Sequence, residues 1–140
     1  MTQDKSNGYD AIVADYMEAR SDAGRHVVQS WAASLAPGST IVDVGCGTGL
    51  PLTPVLLDQG LSVFAMDAAP GMIATFRQHF PEIETACEAA EESAFFGRRF
   101  DAALAIGLIF LLSPAAQEEA LHRICQALTP GGSLLFSAPW

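Results

Sequence analysis

The stretch TIVDVGCGTG, Thr40 to Gly49, decides how this chain is read. Thr40, Ile41, Val42 and Val44 make a short β-branched run, the composition of a buried strand. The run ends in Gly45, Gly47 and Gly49, alternate glycines that clear Cβ atoms from the backbone and permit positive φ. Leu50 to Gln59 follows at helical spacing, with Leu52, Val55 and Leu56 on one face and Gly60 as the C-terminal stop. A strand, a glycine loop and a helix in that order are the opening of a βαβ unit, with space for a ligand at the loop.

The alternation continues downstream. Leu61 to Met66 reads as a second strand, and Pro70 to Phe80 as a helix with proline in its first turn. Ile83 to Cys87 is a weaker third strand, and Phe100 to Ile106 a strong fourth after the turn Gly97-Arg98-Arg99. Ala115 to Leu128 is a helix that turns Ala116, Ala120, Leu121, Ile124 and Leu128 inward. Thr129-Pro130-Gly131-Gly132 ends it, and Ser133 to Ser137 is the fifth strand. Upstream, Tyr9, Ile12, Val13, Tyr16 and Met17 recur at helical spacing with Arg20 on the same stripe. A second helix carries Val27, Val28, Trp31 and Leu35 inward up to Pro37-Gly38.

Strands and helices alternating at this spacing predict an α/β fold: a Rossmann-like three-layer sandwich around a mostly parallel, doubly wound sheet of about five strands. One domain is expected, with residues 1–38 as an N-terminal helical cap and 39–140 as the ligand-binding core. In such sheets a ligand lies beyond the carboxyl ends of the strands. That places the positions after Val44, Met66, Cys87 and Ile106 at the site.

The balance of 16 Asp and Glu against 7 Lys and Arg gives a net charge of -9, which disfavours nucleic acid and anionic membrane as partners. A small basic patch inside that acidic average is the exception. Cys46, Cys87 and Cys125 have no CxxC spacing and make an odd count, so no disulfide framework or metal site is expected. No secretory h-region opens the chain and no apolar run reaches the ~20 residues of a membrane span. A cytoplasmic location is expected.

Two features narrow the ligand. The dinucleotide pattern GxGxxG wants glycine where Leu50 stands, and Asp43, just before the loop, would repel a pyrophosphate but attract an ammonium group. Asp67, at the end of the second strand, is placed to accept from ribose hydroxyls. No Gly-Lys-Ser/Thr follows the loop, so it is not a P-loop.

VDVGCGTG (Val42 to Gly49), FAMDAAPGMI (Phe64 to Ile73) and LHRICQALTPGGSLLF (Leu121 to Phe136) together resemble the motifs of class I S-adenosylmethionine-dependent methyltransferases of the small-molecule type. The resemblance covers roughly Tyr9 to Ser137. It implies S-adenosyl-L-methionine as cofactor, with S-adenosyl-L-homocysteine as product. Gly45, Cys46, Gly47 and Gly49 would form the loop under its methionine half, with Asp43 supporting the ammonium. Asp67 would take the ribose, Ala68 and Met72 would flank the adenine, and Ala90 and Glu91 would line its edge. Ile106 would close the strand-four side, and Tyr16 and Arg20 would cap the pocket from the N-terminal helix. The chain departs from the family at Ala89, where an acid is often found; Glu88 would substitute if the register shifts by one.

No catalytic base is assigned. After the fourth strand the chain reads Gly107-Leu108-Ile109-Phe110, without the Asn/Asp-Pro-Pro-aromatic motif of amide- and adenine-directed members. Leu108 to Leu112 is read as core packing in preference to an apolar wall for the acceptor. His26, His79 and His122 fall on helices and read as surface residues. The family's sheet has seven strands, and this sequence ends after the fifth, so its C-terminal β-hairpin is missing. That suggests a truncated chain, or an exposed fifth strand that pairs with a partner or a second copy. The expected function is methyl transfer to a small-molecule acceptor. The alternatives are a catalytically inactive S-adenosylmethionine-binding module and, behind it, an NAD-dependent oxidoreductase.

Overall fold

The computed structural model describes residues 22–137. In chain order the main elements are α1 (Asp22–Ala33), β1 (Thr40–Val44), α2 (Leu52–Asp58), β2 (Ser62–Met66), α3 (Pro70–His79), β3 (Glu84–Ala86), β4 (Phe100–Ala105), α4 (Pro114–Gln126) and β5 (Leu128–Phe136). Short 3-10 turns at Phe95–Gly97 and Ile109–Leu111 flank β4. The five strands form one sheet in the order β3-β2-β1-β4-β5, and every pairing is parallel. The α/β expectation is met: this is a Rossmann-like doubly wound sheet. The strand order reverses between β1 and β4, which opens a crevice at their carboxyl ends.

Both faces of the sheet are covered. One core joins Val42, Val44, Ala103 and Ala105 to Ala120 and Ile124 of α4, with Phe95 and Phe100 beneath. The other joins Ile41, Ala102 and Leu104 to Leu52 and Leu56 of α2 and to Val28 and Ala32 of α1. Buried on both faces, β1 and β4 read as near-continuous apolar runs, as interior parallel strands must. The described part of the N-terminal cap is therefore one layer of this core. Trp31 Nε1 strengthens that docking by donating to Ser133 Oγ at 2.8 Å. The helix expected to open the cap, with Tyr16 and Arg20, lies outside the described residues.

Three details differ from the sequence reading. Val27 is 58% exposed, because Val28 and Ala32 define the buried stripe and Val27 sits about 100° off it. α2 begins at Leu52 rather than Leu50, since Pro51 occupies its N-cap. β5 begins at Leu128, where it pairs with Phe100; the chain then leaves the ladder at Thr129–Gly132 and rejoins it with Ser133 opposite Ala102. The Pro-Gly-Gly turn is thus a bulge inside the strand, with Gly131 at φ 80°.

Candidate functional site

The loop after β1 is tied to the end of β2. Gly45 N and Cys46 N both donate to Met66 O, at 2.8 and 2.9 Å. Gly47 N donates to Asp67 Oδ2 at 2.9 Å, and Ala69 N donates to Asp67 Oδ1 at 2.9 Å. Asp67 is only 2% exposed, so these two charge-assisted bonds fix both its position and the start of α3. Gly49 N donates to Cys46 O at 3.2 Å, and Thr53 N to Gly49 O at 2.7 Å. The N–H groups of Gly45, Cys46, Gly47 and Gly49 are thus all engaged within the protein. α2 adds few more, since Pro51 and Pro54 in its first turn have no N–H.

The glycines of the loop do different work. Gly45, at φ 73°, approaches Leu108: a Cβ there would sit 3.0 Å from Leu108 Cβ. Gly49, at φ 90°, faces α3 instead. A Cβ there would lie 2.7 Å from the Phe80 ring and 2.9 Å from that of Phe76. Gly49 thus serves the packing of α3 against the loop.

A narrow cleft at the carboxyl edge, of about 10 Å³, is lined by Val44, Gly45, Asp67, Ala68, Glu88, Ala89, Ala90, Glu91, Leu108 and Leu112. Of the residues singled out in the sequence, Gly45, Asp67, Ala68, Ala90 and Glu91 meet here. Asp43 is fully buried on the central strand, and Met72 is fully buried in the first turn of α3. Cys46 is buried against Phe76, and Ile106 packs on the α1–α2 side of the sheet. None of these four, nor Gly47 or Gly49, lines the cleft.

The structure adds Val44, Leu108 and Leu112 to the lining, and both Ala89 and Glu88, the acid offered as its substitute, line it as well. Leu112 belongs to both readings of its segment, since it lines the cleft and packs in the α4-side core. Leu108 reaches the glycine loop because Gly107, at φ 78°, turns the chain back after β4. A glycine directly after a strand was the available signal.

Three carboxylates, Asp67, Glu88 and Glu91, face this cleft, and no Lys, Arg or His is among its described lining residues. Glu88 is steadied by Ser93 Oγ, which donates to its Oε1 at 3.2 Å. An acidic, partly apolar cleft attracts a cation and repels a pyrophosphate. The residues therefore fit a ligand that joins a positive charge to a ribose and an adenine, as S-adenosylmethionine does. They fit a dinucleotide poorly.

Residues 41–132 match the family model described as a methyltransferase domain. The chain belongs to the methyltransferase-domain family. Among its relatives, the demethylmenaquinone methyltransferase of Renibacterium salmoninarum is 32% identical over 112 residues, which cover 77% of this chain and 46% of that protein. The chain thus spans about half the length of that curated relative. Among solved structures, a TehB-like SAM-dependent methyltransferase from Corynebacterium glutamicum is 26% identical with a TM-score of 0.76, over 94% of this chain and 71% of that one. The N-methyltransferase NodS from Bradyrhizobium japonicum, solved with S-adenosyl-L-homocysteine, has a TM-score of 0.79 at 18% identity. It covers 96% of this chain, with 72% of its own length matched, and it shares the fold. Among the described residues of this methyltransferase-family chain, no helix is long and apolar enough to cross a membrane.

Proposed function

We propose that this chain binds S-adenosylmethionine across the carboxyl edge of β1, β2 and β4 and serves methyl transfer to a small-molecule acceptor. The observation that carries the reading is the cleft itself, which presents three carboxylates beside a glycine loop in which the N–H groups of Gly45, Cys46, Gly47 and Gly49 are already engaged. An NAD-dependent reading would need free loop donors for a pyrophosphate. The demethylmenaquinone methyltransferase and the TehB-like methyltransferase support methyl transfer, and the second is named as SAM-dependent.

Bound S-adenosylmethionine supplies a methyl group on a sulfonium, which leaves by in-line displacement. The chain's part is to hold and desolvate. Asp67, fixed by Gly47 N and Ala69 N, keeps lone pairs on both oxygens for the ribose hydroxyls. Ala68 and Ala90 give flat, small walls for the adenine, and Glu91 stands at its edge. Gly45 lets the methionine half approach the backbone, and Asp43, fully buried on β1, supports the ammonium directly or through water. Leu108 and Leu112 exclude water on the acceptor side and favour an acceptor with an apolar part. Tyr16 and Arg20 are proposed to cap the site from the N-terminal helix.

Calorimetric titration with S-adenosylmethionine and with NAD⁺ tests the reading. The expected result is saturable binding of the first and none of the second. NAD⁺ binding without S-adenosylmethionine binding would overturn it. Methyl transfer to a panel of small acceptors, followed by homocysteine-product release, tests the activity.

A further inference from the structure

A second concavity lies at the opposite edge of the sheet. It has a volume of about 380 Å³ and is lined by Arg98, Arg99 and Arg123, together with Ser93, Phe95, Gln126 and backbone of the intervening turn. The chain has 7 Lys and Arg in all, so three of its seven cationic side chains converge here in a protein of net charge -9. No carboxylate or histidine is among the described lining residues.

The three arginines are not equivalent. Arg123 Nε is paired with Glu119 Oε1 at 2.7 Å, and its Nη1 donates to Ser93 O at 3.1 Å. That pair is neutral, and it builds the wall beside the last turn of α4. Arg98 lies over the rings of Phe64 and Phe100, at 4.6 and 5.5 Å from their centroids. Stacking orients its guanidinium and leaves its charge and its hydrogen-bond edges available. Arg99 is exposed, and its side chain has no hydrogen bond, ion pair or ring contact with another described residue. The cavity therefore carries two uncompensated positive charges.

The backbone that presents them is held in a rare conformation. Phe95, Phe96 and Gly97 have φ of 51°, 59° and 65°, three left-handed residues in succession. Two of them are not glycine, a costly arrangement that persists only when surrounding contacts enforce it. Those contacts are visible. Phe96 packs edge-on against Phe64 at 5.4 Å and Phe100 at 6.2 Å, and Ser93 Oγ accepts from Phe95 N at 2.9 Å. The turn delivers Arg98 and Arg99 to the cavity in fixed order.

We propose that this cavity is an accessory binding site for a phosphate dianion, free or carried as a monoester on a small metabolite. Two unpaired guanidiniums match a ligand charge of about -2 and offer the fork geometry that phosphate oxygens take. The volume leaves room for an organic group beyond the phosphate. The arginines of this site stand away from the methyl-transfer cleft, although Ser93 of its lining also donates to Glu88 of the cleft. It opens beside Phe100, the first residue of β4, roughly 17 Å along that strand from the carboxyl edge at 3.3 Å per residue.

Titration of the chain with inorganic phosphate and with β-glycerophosphate, at an ionic strength of about 0.15 M, is the test. Saturable binding of at least one is expected, and the tighter of the two tells whether the phosphate is free or esterified. Arg99→Ala should weaken it roughly ten-fold while leaving the melting temperature unchanged, since Arg99 is exposed and has no polar or ring partner among the described residues. Arg98→Ala should weaken it as much but also lower the melting temperature. Affinity should fall as pH is lowered through about 6, where a monoester takes up its second proton while the arginines stay charged. Absence of saturable binding, full affinity in Arg99→Ala, or a flat pH profile would each overturn the proposal.

Discussion

At the carboxyl edge of the sheet, Asp67, Glu88 and Glu91 face a cleft with no cation among its described lining residues. At the amino edge, Arg98, Arg99 and Arg123 face a cavity with no acid among its own. One crossover segment, between β3 and β4, supplies two of the three charged residues of each. Its start, Glu88 and Glu91, stays at the carboxyl edge; its end, Arg98 and Arg99, is carried to the amino edge by the direction of the parallel strands. A net charge of -9 describes neither place. Charge acts through the local field of a concave surface, so a chain that repels anions on average can hold one at a chosen edge.

The largest effect should come from a change that touches only the architecture behind the acidic cleft. Gly49→Ala places a Cβ against Phe76 and Phe80 at positive φ, and is expected to cost about 2–4 kcal/mol of stability. Thermal melts would show it, and S-adenosylmethionine affinity in the folded fraction should change little. A selective loss of affinity instead would return Gly49 to the ligand. Asp67→Ala comes next. It should weaken S-adenosylmethionine by roughly 1–3 kcal/mol, the scale of losing charge-assisted hydrogen bonds, and leave phosphate binding at the other edge intact. Unchanged affinity in calorimetry would mean that the ribose lies elsewhere.

Arg98→Ala sharpens the other side of the comparison. Loss of its stacking on Phe64 and Phe100 should lower stability by about 0.5–1 kcal/mol in denaturant melts, with S-adenosylmethionine affinity unaffected. The smallest effect is expected from Glu88→Gln or Glu91→Gln. Each should weaken the cationic cofactor only about two-fold, because the charges of exposed Glu88 and half-buried Glu91 are well screened. Raising salt should shrink even that difference. Equal affinity of both variants at low salt would remove the long-range part of the electrostatic reading and leave Asp67 as the determinant.

Most of the fold was legible because β1, β2 and β4 are short β-branched or apolar runs ended by Gly45, Asp67 and Gly107, and because α4 has a clean buried stripe at Ala120 and Ile124. Element ends were harder. Pro51 delays α2, and Leu128 joins the sheet before the Pro-Gly-Gly bulge, since pairing with Phe100 outweighs the local turn signal. At the site, Gly45, Asp67, Ala68, Ala90 and Glu91 were read from motif position alone and share one cleft. Leu108 and Leu112 were not assigned to it. They reach it by a turn at Gly107, and no periodicity records where a loop folds back. The arginine cavity was the least legible. Arg98-Arg99 looked like an ordinary turn, and only the tertiary placement of α4 brings Arg123 beside it.

The hydrogen bond from Trp31 to Ser133 joins the first described helix to the last strand across 102 residues. The central strand is equally dependent on late sequence: Thr40 N donates to Asp101 Oδ2 at 2.9 Å, and β1 pairs with β4. During synthesis, then, β1 leaves the ribosome with one side open until β4 follows, and α1 lacks its furthest anchor until β5 is made. Folding of such a topology is set by distant closures and is slow for its size. Until they occur, the nascent chain exposes an apolar strand that invites association, the stage at which a chaperone would matter most.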